Sequence, residues 1–223
     1  MKAMILAAGR GDRMRPLTDT VPKPLLKVAG KPLIQYSIEN LVAAGFTELV
    51  INVAYLGEQI IQTLGDGSQF GASIVYSPEG EEGLETAGGI IHALPLLGSE
   101  PFLVLNSDVA CDFPLAQLKQ TPKGLAHLVF IPNPEHHPEG DFSLGDDGIM
   151  CLEGQNKCTF SGIGVYKPEL FASVPEGKLK LRPLLEQAMA NGLISGEKFT
   201  GFWMDIGTAE RLQALERHIA GIK

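Results

Sequence analysis

Short apolar runs alternate with amphipathic segments through the first half of this chain, and this alternation limits the possible folds more than any other feature. Residues 2–8, 48–55, 72–77 and 101–106 are apolar enough for buried strands, and segments beginning at 32, 57 and 86 have helical spacing. Strands of this kind, joined by helices, are typical of a parallel sheet covered on both faces. We therefore predict an α/β fold with a mostly parallel central sheet, in which ligands bind beyond the carboxyl ends of the strands.

The second half is expected to extend this sheet within one domain that spans residues 1–223. Near residue 125 the pattern becomes less regular. Strands are predicted at 125–132, 160–166 and 202–206, helices at 181–190 and 208–219, and loops with a short hairpin at 136–150.

A glycine-rich loop with concentrated positive charge follows the first strand. Gly9 and Gly11 permit a sharp turn and close approach of a ligand, and a turn of free backbone N–H groups can hold an anion. Residues 1–31 carry seven Lys and Arg against two Asp, a balance of +5 in a chain of net charge −8. This contrast predicts a local polyphosphate site and not a nucleic-acid surface. The spacing matches neither a dinucleotide fingerprint, which needs a glycine at Met14, nor a P-loop.

The composition excludes several other classes. No apolar run reaches the roughly 20 residues that span a bilayer, and residues 4–8 are too short for a signal-peptide core. Cys111, Cys151 and Cys158 are odd in number and lack zinc-site spacing, so we interpret them as reduced thiols, the last two in or near the core. We expect a cytoplasmic protein without membrane or nucleic-acid partners. The five histidines have no ligand spacing and are interpreted as structural or solvated.

Two acidic residues stand in places suited to a metal ion. Asp108 follows the apolar run 101–106, and a carboxylate at the end of a strand can hold Mg²⁺ while leaving positions for water and phosphate. The alternative is that Asp108 caps a turn or helix. Asp205 lies among large apolar residues, where an unpaired carboxylate is costly. It therefore needs a cation or strong donors, and backbone N–H groups around Thr208 are the alternative to a metal.

The segment 78–89 is an acidic, glycine-rich loop that leads into a helix. Its charge repels phosphates, so we expect it to face the base or the sugar of a nucleotide, and Gly83 permits close approach to a flat base. The alternative is a solvated loop with Thr86 as the helix N-cap.

These motifs together resemble a known family. The run Ala7-Ala8-Gly9-x-Gly11-x-Arg13-x-x-Pro16-Leu17-Thr18, followed by Pro22-Lys23-Pro24-Leu25, is similar to the signature of the sugar-1-phosphate nucleotidyltransferases. Further similar segments around Asp108, Gly83 and Asp205 extend the resemblance over most of the chain. It implies a Rossmann-like three-layer sandwich, the nucleotide-diphospho-sugar transferase fold. It also implies a Mg²⁺-dependent reaction that joins a sugar 1-phosphate to a nucleoside triphosphate and releases pyrophosphate.

The resemblance also assigns roles to individual residues. The nucleotide is expected to contact Ala8, Gly9, Gly11, Asp12, Arg13, Lys23, Gly83 and Asn106. The sugar is expected to contact Asn106, Gly140 and Glu153. Mg²⁺ is assigned to Asp108 and Asp205. Arg15 is assigned to the departing pyrophosphate, and Lys23 to the α-phosphorus during the reaction. The nucleotide-binding half is expected at about 1–124 and the sugar-phosphate half at about 125–223.

The sequence departs from the family pattern at one sugar-binding element and leaves the substrates open. Where the family has Glu-Lys-Pro, this chain reads Glu153-Gly154-Gln155, so the lysine that holds the sugar phosphate is missing and Lys157 is one candidate to replace it. The opening segment most resembles members that use UTP and N-acetylmuramate 1-phosphate in peptidoglycan recycling. GTP with mannose 1-phosphate and dTTP with glucose 1-phosphate are the alternatives. A sugar-nucleotide-binding regulatory subunit without turnover is the non-enzymatic alternative.

Overall fold

The computed structural model describes residues 1–145, 147–152, 154 and 157–221. Its strands are β1 (Ala3–Leu6), β2 (Lys27–Val28), β3 (Lys31–Pro32), β4 (Glu48–Val53), β5 (Ser73–Pro78), β6 (Phe102–Asn106), β7 (Val109–Cys111), β8 (Ala126–Ile131), β9 (Phe142–Leu144), β10 (Met150–Cys151), β11 (Lys157–Tyr166), β12 (Ile194–Lys198) and β13 (Trp203–Asp205). Its α-helices are α1 (Leu33–Ala43), α2 (Gly57–Leu64), α3 (Glu85–Leu97), α4 (Leu181–Ala190) and α5 (Ala209–Ile219).

Strands β6, β1, β4 and β5 form a parallel core in that order. Ala3 of β1 lies between Leu49 of β4 and Leu103 of β6, which fixes the register. The carboxyl ends of these strands therefore meet at one edge. The loops that follow Leu6 and Asn106 leave from this edge, as the sequence predicts.

The second half continues the same sheet with mixed strand directions. The long strand β11 runs antiparallel to β6, β8 and β9, while β12 is parallel to β8. The register between β11 and β8 shifts between Phe160 and Ile163, which indicates a bulge. The predicted hairpin is present as β9 and β10. One sheet thus joins residues from both halves of the chain.

Helices cover both faces of this sheet. Alternate residues of the central strands face opposite sides: Met4 packs in a core with α3 and α4, whereas Ala3 and Ile5 pack in a core with α1 and α2. The segment 7–26, which joins β1 to β2 and is called the basic loop below, packs against α5. The contact forms a third cluster, which includes Met14 and Leu215. The predicted α/β three-layer architecture is therefore confirmed.

Four strands and one helix cap differ from the sequence predictions. The strands β2, β3, β7 and β12 were not predicted, whereas β13, which pairs with β7 in a two-stranded ribbon, falls within the strand predicted at 202–206. Thr86 does not cap α3; the cap position is Leu84, without a side-chain hydrogen bond. Instead, the N–H groups of Ala87 and Gly88 donate to the carbonyl of Leu179 at 2.9 and 3.1 Å.

None of the helices in the described part of the chain has the length and apolar composition that a bilayer crossing requires.

Candidate active site

The basic loop is held in place by its own backbone and by one buried threonine. Gly11 has φ +74°, a left-handed conformation that suits glycine, and Thr18 Oγ1 donates to its carbonyl at 2.9 Å. Thr18 is 1% exposed, and Met14 on the same loop is buried against α5. The loop is therefore an anchored feature of the fold, and the residues before Gly11 lie beside the end of β1.

Lys23 and Asp108, predicted as the catalytic lysine and a metal ligand, are in direct contact. Lys23 Nζ donates to Asp108 Oδ2, although 85 residues separate them. Their side chains are 12% and 25% exposed, so the attraction is screened less than that of a surface pair. The contact joins the end of the basic loop to the turn after β6, which brings two predicted functional groups to one point.

A cavity of about 370 Å³ opens beside this pair. Of the predicted site residues, it is lined by Ala8, Gly9, Lys23, Gly83, Asn106 and Asp108. The basic loop, the acidic loop and the end of β6 thus share one cleft, whose size is within the usual range of small-molecule sites.

The other predicted residues of the basic loop do not line this cavity. Arg15 is half exposed, and its Nε lies 3.0 Å from Asp19 Oδ1. Arg13 is exposed, and its guanidinium lies beside Gly207. Gly11 and Asp12 also lie outside the cavity lining. The assignment of Arg15 to the departing pyrophosphate remains a prediction.

Arg10 lines the cavity, although the sequence predictions gave it no specific role. Its guanidinium carbon lies 3.5 Å from the centre of the Tyr55 ring, a cation–π contact that orients the side chain. Among the described residues, its buried Nη1 has no hydrogen-bond partner. This nitrogen is therefore a donor without a partner in the described part of the chain, on a side chain that lines the cavity. The signal in the sequence was the high local charge, which did not distinguish Arg10 from its neighbours.

Asp205 is held by side chains and not by the backbone groups around Thr208. Arg211 Nη1 donates to Asp205 Oδ1 at 2.9 Å, and His136 Nε2 lies 3.1 Å from the same oxygen. Thr208 instead caps α5 by accepting from Arg211 N–H at 3.3 Å. The interpretation of His136 as structural or solvated was therefore incomplete, because this residue contacts a predicted metal ligand.

A second cavity, of about 290 Å³, adjoins the first. Glu85, Thr86 and Asn106 line both, so Asn106 lies at the junction, consistent with its predicted contacts to nucleotide and sugar. Gly162, with φ +82°, makes room for the Asn106 side chain, because a Cβ there would lie 2.6 Å from Asn106 Nδ2. The bulge in β11 thus shapes the junction.

The loop that carries Gly140 forms one wall near the second cavity. Gly140 has φ +63°, and a Cβ there would lie 2.7 Å from Asn133 Oδ1. The next residue, Asp141, lines the cavity and accepts from Phe160 N–H at 2.8 Å. Gly140 therefore shapes this loop, while its predicted contact with the sugar remains a prediction. Glu153, the third predicted sugar ligand, lies outside the described residues.

Comparison with known proteins identifies the family. Residues 2–142 match the model of the family described as nucleotidyl transferase. The chain is 56% identical over 221 residues to the N-acetylmuramate alpha-1-phosphate uridylyltransferase of Neisseria meningitidis, with 96% of each chain covered. This chain belongs to the nucleotidyl transferase family. It is also 36% identical to the protein of the same name from Caulobacter vibrioides, with coverage of 98% of this chain and 96% of that protein.

The fold of this nucleotidyl transferase is similar to that of a solved structure described as a putative glucose-1-phosphate thymidylyltransferase from Bacillus anthracis. The TM-score is 0.87 over all of this chain and 96% of the other, at 20% identity. At this identity the comparison supports the fold alone.

The donors at the site fit the magnesium ion that the family resemblance implies. Phosphate-transfer enzymes bind Mg²⁺ through one or two carboxylates together with substrate phosphates. Asp108 and Asp205 supply two such carboxylates from neighbouring backbone segments: Ile206 N–H donates to the Asp108 carbonyl at 2.7 Å, and Asp205 is paired with Val109. Within the described ranges, no three His, Cys, Asp or Glu side chains converge. A cation held here would take its remaining ligands from substrate and water.

Proposed function

We propose that this nucleotidyl transferase joins UTP and N-acetylmuramate α-1-phosphate to form UDP-N-acetylmuramate and pyrophosphate, with Mg²⁺ as its cofactor. The observation that carries the reaction class is the contact of Lys23 with Asp108 at a cavity lined by the glycine-rich loop. The choice of substrates is supported by the 56% identity over nearly the whole chain to a protein of that named activity.

The chemistry requires charge neutralisation more than proton transfer. The attacking group is a phosphate oxygen of the sugar 1-phosphate, which is already an anion at neutral pH, so a general base is not needed. It forms a bond to the α-phosphorus of UTP as the bond to the leaving pyrophosphate breaks. The main barrier is the approach of two polyanions, which a site lowers by positioning and by fixed positive charge.

The residues at the cavity can supply that charge. Lys23, which contacts Asp108 at the cavity, would release this carboxylate and donate to the α-phosphate oxygens as negative charge develops there. Arg10, which lines the cavity and whose Nη1 lacks a hydrogen-bond partner among the described residues, would hold the triphosphate. Mg²⁺, when bound by Asp108 and Asp205, supplies electrostatic neutralisation of the reacting phosphates. The backbone of Ala8 and Gly9 lines the same cleft and allows close approach of the nucleotide.

The lactyl carboxylate of N-acetylmuramate needs a cationic partner in the second cavity. Arg182 lines this cavity, but its Nε donates to Glu186 at 2.8 Å and its Nη1 to Asp141 at 3.3 Å. Lys180 lines the same cavity and has no acidic partner among the described ion pairs. We therefore assign recognition of the carboxylate to Lys180.

A substrate panel tests this proposal. The purified protein is incubated with Mg²⁺, each of UTP, dTTP, GTP and CTP, and the 1-phosphates of N-acetylmuramate, N-acetylglucosamine, glucose and mannose, and pyrophosphate release is measured. We expect the highest rate with UTP and N-acetylmuramate 1-phosphate. A higher rate with another pair would replace the assigned substrates and keep the reaction. Nucleotide binding without pyrophosphate release from any pair would contradict the enzymatic function.

A further inference from the structure

Three hydrogen bonds connect the basic loop to the acidic loop through two side chains. Ala7 N–H donates to Asn52 Oδ1 at 2.8 Å, and Asn52 Nδ2 donates to Glu79 Oε1 at 2.6 Å. The second oxygen, Glu79 Oε2, accepts from Leu84 N–H at 2.7 Å. The chain of contacts begins at the end of β1, passes the ends of β4 and β5, and finishes at the residue before α3.

The surroundings of this network leave little freedom for its side chains. Asn52 is 3% exposed, so unpaired amide groups there would be costly. A Cβ on Gly89 would collide with Glu79 Oε1 and lie 3.0 Å from Asn52 Nδ2. Glycine at this position therefore lets α3 approach both side chains. Gly83, beside Leu84, lies close enough to the basic loop that a Cβ would be 3.5 Å from the Ala8 carbonyl oxygen.

We propose that Asn52 and Glu79 are positioning residues that fix the distance between the two loops and thereby control binding of the nucleotide base. Both side chains line the nucleotide cavity, together with Ala8 of the basic loop and Gly83 of the acidic loop. The Glu79 carboxylate repels phosphates, so its side of the cavity is suited to the base or ribose. This inference rests on the proposed function of the cavity as a nucleotide site.

The order of donors and acceptors makes an exchange experiment possible. Glu79→Gln places an amide where two donors, from Asn52 and Leu84, both need an acceptor, so one contact is lost. Asn52→Asp places a second carboxylate against Glu79, so the middle contact becomes repulsive. The double variant Asn52→Asp/Glu79→Gln restores all three contacts: the introduced carboxylate accepts from Ala7 N–H and from the introduced amide, whose oxygen accepts from Leu84 N–H.

Nucleotide binding and kinetics are measured for the wild type, both single variants and the double variant. We expect each single variant to raise the Kd and KM for UTP about 10-fold, the scale of one lost buried hydrogen bond. The KM for the sugar 1-phosphate should change less than about twofold. The double variant should recover to within about threefold of the wild-type Kd. Calorimetric Kd values need no turnover, so they test the network even if the assigned sugar is wrong.

Glu39→Gln is the matched control. The Glu39 carboxylate also accepts from two side chains, Lys31 at 2.6 Å and Gln35 at 2.8 Å, but it lies on α1 outside the nucleotide cavity. It should leave the Kd for UTP unchanged.

Two results would overturn the inference. One is single variants that bind UTP like Glu39→Gln; the other is a double variant that remains as weak as the singles. If a single variant does not fold, the double variant alone tests the inference. A folded double variant that binds UTP about 10-fold more weakly than the wild type would then contradict it. Failure of the proposed function has a different signature, because the wild type itself would then release no pyrophosphate, whether or not it binds a nucleotide.

Discussion

At the scale of single residues, the site is organised as pairs of opposite charges. Lys23 pairs with Asp108, and Arg211 with Asp205. These contacts reduce the cost of keeping partly buried charges in the fold. Substrate phosphates and a cation would replace them with stronger partners: the phosphates would take the lysine, and the cation would take the carboxylates. The same residues thus serve folding and the proposed chemistry.

Replacement of Lys23 tests the proposed role of its charge. Lys23→Met is expected to lower kcat about 10²- to 10³-fold, the usual effect of removing one preorganised electrostatic contact. The KM for UTP should change less, since the lysine is proposed to act on charge that develops during the reaction. Steady-state pyrophosphate release measures both parameters. Lys27→Met, at an exposed position on β2, is the control and should keep full activity. Equal kcat in both variants would contradict the role of Lys23.

Asp205→Asn tests the proposed metal ligand. The amide keeps the size of the side chain but removes the charge that attracts a cation. We expect kcat/KM to fall about 10²-fold or more at about 1 mM Mg²⁺. Part of the lost kcat/KM should return as the Mg²⁺ concentration is raised. Chelation of the metal should abolish turnover of the wild type. Asp66→Asn, at an exposed turn where the carboxylate accepts from Ser68 N–H, is the control. Unchanged Mg²⁺ dependence in Asp205→Asn would contradict the assignment.

Lys180→Met tests recognition of the sugar. Loss of this charge should raise the KM for N-acetylmuramate 1-phosphate about 10-fold, as expected for one charged hydrogen bond, and leave the KM for N-acetylglucosamine 1-phosphate unchanged. Lys167→Met, on the segment after β11, is the control. A similar change for both sugars would show that Lys180 does not distinguish them by their carboxylate.

At the scale of elements, the start of α3 shows which local features the sequence can predict. The helix itself was predicted from its apolar spacing, but its cap was not. The carbonyl that satisfies Ala87 and Gly88 belongs to Leu179, more than 90 positions along the chain. Local sequence carries no signal for a cap supplied from that distance. Strand β7 and its pairing with β13 were missed for a similar reason, since a strand of three residues is defined only by its partner.

Glu85, the first residue of α3, has φ +61° and lines both cavities. Such a conformation costs about 1 kcal/mol or more for a residue other than glycine and often persists at functional sites. We expect Glu85→Gly to raise the free energy of unfolding by about 1 kcal/mol and to lower kcat/KM, because it removes a side chain from the lining of both cavities.

Ala29→Gly is the matched control for Glu85→Gly. Ala29 has φ +50° at the exposed turn between β2 and β3, away from the cavities. The Ala29→Gly variant should gain a similar free energy of unfolding without loss of activity. Urea unfolding and steady-state rates measure the two effects. Full activity in Glu85→Gly would show that neither the carboxylate nor the strained backbone there has a role in substrate binding.

At the scale of the whole molecule, the parts of the fold that were predictable are those set by buried apolar runs. Strands β1, β4 and β6 are nearly continuous apolar segments, and their parallel order follows from the helices between them. Strand β12, with the sequence Ile-Ser-Gly-Glu-Lys, has no such pattern and becomes a strand by pairing with β8. The meeting of Lys23 and Asp108 at one cavity was predictable, because a motif specified each of them. The partners of Asp205 were not, because Arg211 and His136 meet it only through tertiary packing.

The packing of the cysteines provides a test of the fold as a whole. Burial raises the pKa of the Cys111 thiol to about 11, from a usual value near 9. Cys151 is exposed, contrary to the prediction that it lies in or near the core, whereas Cys158 is buried as predicted. Because the thiolate is the reactive form, a raised pKa keeps Cys111 protonated at pH 8. It should react with iodoacetamide about 10²-fold more slowly than a thiol of the usual pKa, and more slowly than the exposed Cys151.

Mass spectrometry of timed samples measures the two alkylation rates, and the unfolded protein in urea is the control, in which the rates should converge. Equal rates in the folded protein would contradict the burial of Cys111 in the ribbon.

The central claim is that a sugar phosphate attacks the α-phosphorus of UTP at the site of Lys23, Asp108 and Asp205. The most direct measurement follows the label from UTP that carries ³²P at either the α or the γ position, in the presence of Mg²⁺ and N-acetylmuramate 1-phosphate. We expect α label to appear in UDP-N-acetylmuramate and γ label in pyrophosphate. Transfer of γ label to the sugar, or release of α label as UMP without a sugar nucleotide, would contradict it.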